Sequence, residues 1–185
     1  MKFTCEKALL VSAVSIAVRT VASKSSISCL EGILVRVGVG VQLTGFNLET
    51  GITVRVDAAV SEPGVCVMPA RLFFDIIRKL PDDIITVSVD DRLQVSIRGG
   101  ASSFKIAAMD AEDYPDLPDV DSNRGVSLPQ CVLREMIGGT IFSVSENQGR
   151  PIHTGCLVEV GSDRISMVAV DNSRLARRTW YSEEA

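Results

Sequence analysis

Apolar residues recur along this chain with two periods, and the period changes at regular places. From Glu6 onward, Leu9, Leu10, Ala13, Val14, Ala17 and Val18 keep the spacing of a helix with one buried face. The stripe returns in "VMPARLFFDIIRKLP" as Leu72, Phe73, Ile76, Ile77 and Leu80, and in "SLPQCVLREMIGG" as Val132, Leu133, Met136 and Ile137. Proline suits the first helical position, because the N–H it lacks would be unpaired there anyway. Pro69 and Pro129 therefore mark two helix starts, and Glu6 holds the matching place in the first. The stripe predicts Leu9, Leu72 and Val132 as equivalent buried positions.

Around these helices the period shortens to two, the alternation of half-buried strands. The first helix is followed by "GILVRV" (32–37), a glycine-rich corner, "VQLTGF", a second corner and "ITVRV". After the second come "IITVSV", a turn at Asp90-Asp91, "RLQVSIR", a turn at Gly99-Gly100 and "SSFKIA". After the third come "GCLVEV", Gly161-Ser162-Asp163, "RISMVAV", Asp171-Asn172-Ser173 and "RLARRTWY". Short strands "KFT", "VCVM" and "VSL" precede the helices. Each unit reads strand, helix, three strands, and three such units at nearly equal spacing form an internal repeat. The pattern predicts an α+β fold of tandem units, with helices on one face of antiparallel sheets.

Units one and two are expected to pair as one domain over residues 1–121. The stretch "MDAEDYPDLPDVDSN" (109–123) is acidic, holds Pro115 and Pro118 and contains no basic residue, the composition of an exposed linker. The third unit then forms the first half of a second domain over 122–185. One helix with three or four strands buries only a small core and leaves a sheet edge open to association. The chain is therefore expected to be an N-terminal portion of a longer protein, or to be completed by another copy.

Composition narrows the function. The chain is 46% hydrophobic and 23% charged with a net charge of −4, which fits a packed fold and not disorder. Weak acidity argues against wrapping nucleic acid by bulk charge, yet the charge is unevenly spread. Arg71, Arg78 and Lys79 share the second helix with Asp75, Arg19 and Lys24 follow the first, and Arg134 stands beside Glu135 on the third. The acids gather at Asp82, Asp83, Asp90, Asp91 and from Asp110 to Asp121. Basic helices in an acidic protein fit either an ordinary solvated face or a polyanion lying against the helical layer. Cys5, Cys29, Cys66, Cys131 and Cys156 show no paired spacing and read as small core hydrophobes of a reduced, cytoplasmic compartment. The segment "ALLVSAVSIAV" imitates a secretory leader. However, Glu6 interrupts the basic region before it, and its apolar run keeps a helical period and is too short to span a bilayer. No membrane association is expected.

Catalytic patterns are weak. His153 and Cys156, three apart on an expected strand, would point to opposite faces, and no second histidine exists to complete a zinc site. No nucleophile elbow is present, and "GVGVQLTG" has neither a lysine at P-loop spacing nor a following helix. Neither catalysis nor a metal or other cofactor is expected.

The repeat, the opening "MKFT", the helix "PARLFFDIIRKLP", "RPIHTG" and "VDNSRLA" together resemble the bacterial DNA polymerase III sliding clamp family, the beta subunit, along essentially the whole chain. That resemblance implies the DNA clamp fold and a non-catalytic processivity factor. Two protomers of three two-unit domains close a ring around double-stranded DNA, without reading its sequence. This chain matches the first domain and the first half of the second. The implied partners are duplex DNA, DNA polymerase III subunits, the clamp loader and a second protomer. By position the resemblance gives DNA-facing roles to Lys24, Arg71, Asn147 and Arg150. It gives a groove for linear partner motifs to His153, Val170, Asn172, Arg174 and Leu175, and a dimer edge to Phe104 and Ile106. Ser173 stands where the family usually has histidine, Asn147 where glutamine is common, and Pro151-Ile152 where some members carry aromatic residues. The alternative is a truncated clamp relative, a homo-oligomeric interaction scaffold that encircles nothing.

Overall fold

The computed structural model describes residues 1–81, 83–118, 120 and 125–182. The chain divides into Met1–Asp119 and Val120–Ala185. The expected boundary at residue 121 lies outside the described residues, as do Asp82 and Asp121.

In the first unit, β1 (Lys2–Glu6) runs into α1 (Lys7–Ala17), followed by β2 (Gly32–Val37), β3 (Val41–Phe46), β4 (Gly51–Val56) and a short β5 (Ala59–Glu62). The second repeat begins with β6 (Gly64–Pro69) and α2 (Ala70–Lys79), then β7 (Ile84–Val89), β8 (Gln94–Gly99) and β9 (Ser102–Ala107). Each helix starts one residue later than predicted. Glu6 and Pro69 are the N-caps and also the last residues of their strands, so the chain passes from strand to helix without a break. The exposed β5 has no apolar alternation by which its sequence could have announced a strand.

The two repeats exchange their lead strands. Sheet order is β5-β1-β7-β8-β9 in one sheet and β4-β3-β2-β6 in the other. β1 of the first repeat thus lies against β7 of the second, with Glu6 opposite Ile84, while β6 lies against β2, with Pro69 opposite Gly32. In both places the cap residue of one helix faces the first residue of the other repeat's opening strand, so the repeats are related by a pseudo-two-fold. All these pairings are antiparallel.

Both helices bury their stripes in one core shared by the two sheets. The buried positions are Leu10, Ala13, Val14 and Ala17 in α1, and Phe73, Ile76 and Ile77 in α2, continued by Leu80. Leu9 and Leu72 are half exposed, which corrects the expected register by one residue in α1 and α2, whereas in α3 Val132 is partly buried against its unit's core and Leu133 is exposed. A stripe written i, i+1, i+4, i+5 does not say which of its two rows faces inward, and here packing of α1 against α2 and the sheets selects the second. The leader-like segment is α1 itself. Gly45 lets α1 end close to β3, because a Cβ there would lie 2.1 Å from the Ala17 carbonyl oxygen. The Thr20 hydroxyl completes that junction by donating to the Gly45 carbonyl at 2.9 Å.

A second, smaller core covers the outer side of β2 and β3 and corrects the linker. Met109 pairs with Val67 through both backbone bonds, at 2.8 and 2.9 Å. Tyr114 is buried with its hydroxyl donating to the Thr44 carbonyl at 3.2 Å, and the Cys29 thiol donates to the Asp113 carbonyl at 3.3 Å. Residues 109–117 are therefore a strap packed on the first unit, where Met109, Ala111, Tyr114 and Leu117 shield Leu34, Phe46 and Val67. Acidity hid this, because the apolar residues that anchor the strap follow neither helical nor strand spacing.

In the second unit, α3 (Gln130–Gly138) follows its cap Pro129, and β10 (Leu157–Val160), β11 (Arg164–Val170) and β12 (Leu175–Tyr181) form an antiparallel sheet in that order. Its core is small: Met136, Ile165 and Met167, with Leu128, Val132, Cys156 and Trp180 partly buried around them. The expected strand "VSL" is not formed. In the first unit a lead strand is held by the opening strand of the other repeat, and among the described residues of this unit no such strand exists. Cys5 and Cys66 are core thiols, pushed by burial to about 11 and about 12, and Cys29 is buried too. Cys131 is exposed, which corrects its assignment to the core.

Candidate functional site

On the first unit the DNA-facing candidates lie at the start of α2 and in the loop that follows α1. Arg71, the second residue of that helix and exposed, borders a depression shared with Val18, Val21, Ala22, Ser23 and Ser28. Lys24, also exposed, is the next residue of that loop. The loop sits there because the Ala22 amide donates to the Leu30 carbonyl at 3.1 Å, closing residues 22–30 beside the helix. Arg78 behaves differently: its guanidinium lies over the Phe74 ring at 5.7 Å and contacts Asp75 at 3.4 Å, so it is engaged on its own helix. Arg71 has no such partner among the described ion pairs.

On the second unit Asn147 and Arg150 are exposed in one tight turn, where the Arg150 amide donates to the Asn147 carbonyl at 3.2 Å and the Asn147 side chain accepts the Gly149 amide at 2.9 Å. Asn147 borders a shallow depression with Ile141, Phe142, Ser145 and the corner Asp171–Arg174. Asn172 and Arg174 belong to that depression, whereas Val170, Leu175 and His153 do not border it. His153 lies in a 3-10 turn (Pro151–Thr154) and not on a strand, its carbonyl accepting the Ser145 amide at 2.9 Å. That corrects both its expected place on a neighbouring strand and the geometry by which it was separated from Cys156. The Cys156 sulfur in fact lies 3.7 Å from the Thr140 hydroxyl.

The corner between β11 and β12 is built by one carboxylate. Val170 pairs with Leu175, and the Asp171 amide donates to the Arg174 carbonyl at 3.0 Å, closing a hairpin. Asp171 Oδ1 accepts the amides of Ser173 (2.7 Å) and Arg174 (2.6 Å), while Oδ2 takes Nε of Arg174 at 2.8 Å and Nη2 at 2.7 Å. Aspartate is suited to this because its short side chain reaches the backbone two and three residues ahead. Arg174 is thereby folded back onto the corner, which leaves Leu175 standing exposed beside it.

The Ser173 amide, then the guanidinium and amide of Arg174, hold the Asp171 carboxyl below its ordinary value. A carboxylate with a depressed folded-state value stabilises above the unfolded value and loses that contribution as pH falls through the folded one. The corner is therefore expected to stay closed at neutral pH and to open only in more acid solution than an isolated aspartate needs. Amide NMR shifts of Ser173 and Arg174 should titrate with a midpoint below that of a reference aspartyl peptide. A midpoint at or above the reference would remove the carboxylate from its role as organiser.

The edge candidates divide. β9 ends its sheet, as expected, and Phe104 is exposed on it. Ile106, two residues on, is buried in the main core and offers no contact surface, which corrects its assignment to the edge. No described helix is long and apolar enough to cross a membrane. Among the described residues no group of three or more histidine, cysteine, aspartate or glutamate side chains is placed to hold a metal ion.

A pseudo-two-fold pair of strand-helix-three-strand repeats, followed by a third helix with its three strands, is the architecture of a DNA clamp. The family described as DNA polymerase III beta subunit, N-terminal domain, matches residues 1–118. The beta sliding clamp of Bacillus subtilis is 32% identical over 187 residues, covering 96% of this chain and 50% of that protein, and the beta sliding clamp of Staphylococcus aureus is 30% identical over all of this chain and 51% of its own length. The crystal structure of the Bacillus subtilis DNA polymerase sliding clamp superposes with a TM-score of 0.94 at 30% identity, covering 100% of this chain and 51% of that one. The beta subunit of Streptococcus pyogenes gives 0.93 at 28% identity. The chain belongs to the DNA polymerase III beta subunit family. It spans about half the length of the curated relatives it matches.

Proposed function

We propose that this chain is part of a non-catalytic processivity factor of DNA replication, a cytoplasmic ring-forming clamp through which duplex DNA slides. The observation that carries the reading is the superposition of the whole chain on half of a sliding clamp. The charge pattern supports it. Lys24, exposed in the loop 22–30, and Arg71, at the start of α2, have no ion-pair partner among the described residues of a protein of net negative charge, which suits a few water-spaced phosphate contacts and no base readout. Asn147 and Arg150 are the corresponding candidates on the second unit.

Such contacts are weak by themselves, since a closed ring holds DNA by topology. Labelled linear duplex titrated with the chain should bind weakly and lose affinity linearly in the logarithm of salt, by about 0.9 for each phosphate neutralised. Salt-independent or sequence-selective binding would contradict the proposal.

The corner Asp171–Leu175 is the proposed wall of a groove for linear motifs of polymerase III subunits, the clamp loader and other partners. Val170 and Leu175 supply apolar floor, Asn172 and Arg174 the polar rim, and His153 a flanking contact. Leu175→Ala in the full-length protein is expected to weaken such a peptide by about 1–2 kcal/mol, the loss of an anchor, with DNA binding unchanged. Fluorescence anisotropy reads this directly. Equal affinities for wild type and variant would mean the corner is a hairpin only.

A further inference from the structure

The glycine-rich corner Gly38-Val39-Gly40 between β2 and β3 belongs to neither core of the first unit and to neither proposed site. Nothing in the fold calls for glycine at Gly38. Its φ is not positive, and a Cβ added there meets no atom within 4 Å. At Gly40 such a Cβ makes only an ordinary contact, 3.4 Å from the Val56 carbonyl oxygen. Glycines that neither turn nor packing requires suit the close approach of a ligand to the backbone. The amides of Val39 and Gly40 have no protein acceptor among the described residues, so both are open to one.

The sequence around this corner lacks the lysine of a phosphate-binding loop, but the sheet brings two arginines to it. Val35, Val37, Val41, Leu43, Val54 and Val56 turn into the main core, so the alternate residues Arg36, Gln42 and Arg55 face away from it. Gln42 pairs with Arg36 on one side and with Arg55 on the other. At the usual strand spacing the two arginine backbones stand roughly 10 Å apart, with the Gln42 side chain between them. Long side chains cross that gap, so both guanidiniums can reach one anion held over Gln42. Arg55 has no ion pair among the described residues, and Arg36 has only the 95% exposed Asp116 at 3.9 Å. With the glycine corner and Asp57, these three residues line a cavity of about 500 Å³, the size of a small-molecule site.

We propose that this cavity binds a nucleotide-like small molecule, a phosphate joined to a hydroxyl-bearing ring. Arg36 and Arg55 clamp the phosphate in the role of a loop lysine, and the bare glycine corner lets it approach the backbone amides. Asp57 disfavours a bare polyanion and accepts a ligand hydroxyl, while the fully exposed Val39 offers apolar cover for the ring. The site is distinct from the DNA-facing candidates, since neither Lys24 nor Arg71 lines the cavity.

Isothermal titration calorimetry of the chain with adenosine monophosphate should show one saturable site. Inorganic phosphate should bind more weakly, and adenosine, which lacks the phosphate, should give no saturable heat. Arg36→Gln and Arg55→Gln should each weaken the nucleotide about tenfold or more, the loss of a charged hydrogen bond. Gly38→Val fills the approach and should abolish binding. All three positions are exposed, so the unfolding midpoint of each variant should stay close to wild type. Lys24→Glu combined with Arg71→Glu should leave nucleotide affinity unchanged. Absence of saturable binding to the wild type would overturn the proposal. So would equal affinity for adenosine, affinity that survives both arginine variants, or binding lost in the Lys24 and Arg71 double variant.

Discussion

Phe73→Ala is expected to cost the first unit about 3–5 kcal/mol, the largest loss of any single substitution considered for this protein. Phe73 is fully buried where α2 meets both α1 and the sheets, so truncation removes a whole ring from water-free packing and leaves a cavity that neighbours from several elements line. Those elements are tied by two interlocked sheets, each containing a strand of the other repeat, so they have little freedom to collapse into the void. At about 1.4 kcal/mol per factor of ten, the folded-to-unfolded ratio falls by at least a hundredfold. Urea unfolding followed by far-ultraviolet circular dichroism measures it. The control is the adjacent Leu72→Ala, half exposed on the same helix, expected to cost under 1 kcal/mol. Equal losses would mean that the helix is rotated from the orientation described here.

Reversing the loop cation and the cation at the start of α2, with Lys24→Glu and Arg71→Glu together, is expected to abolish the salt-dependent part of duplex binding by the first unit. If each cation neutralises one phosphate, the wild-type slope is about −1.8, so affinity falls about tenfold between roughly 50 and 200 mM salt. The double variant should show a nearly flat dependence at a much lower affinity. Both side chains are exposed and Arg71 has no ion-pair partner among the described residues, so the substitution leaves the core untouched and the unfolding midpoint close to wild type. Arg78→Glu serves as the contrast. Arg78 is occupied by Asp75 and the Phe74 ring, so its reversal should change the slope little. A wild-type slope in the double variant would take Lys24 and Arg71 out of the proposed site.

The sequence alone determined the three helices, most of the strands and their repetition. Period 3.6 after Glu6, Pro69 and Pro129, and period 2 after each helix, report local facts: which side of an element meets apolar neighbours and where proline or turn chemistry interrupts it. The family signature was legible for the same reason, since "PARLFFDIIRKLP" and "VDNSRLA" are contiguous stretches. The Asp171 turn belongs to this class too, because every hydrogen bond that shapes it is made within three residues.

What lay beyond the sequence depends on partners distant along the chain. Whether Leu9 or Leu10 points inward was decided by the packing of α1 on α2, and whether "VSL" extends as a strand by the availability of another repeat's opening strand. Tyr114 and Met109 became core because β2 and β3 offered them a second apolar face, although their own neighbours are acidic. Ile106 turned inward and Phe104 stayed exposed on one strand face, because the core reaches only part of the way along that edge. His153 fell in a 3-10 turn since Ser145, eight residues earlier, holds its carbonyl. Local period fixes a residue's element and its side of that element, but the depth at which that side is buried is set by whatever the rest of the fold brings against it.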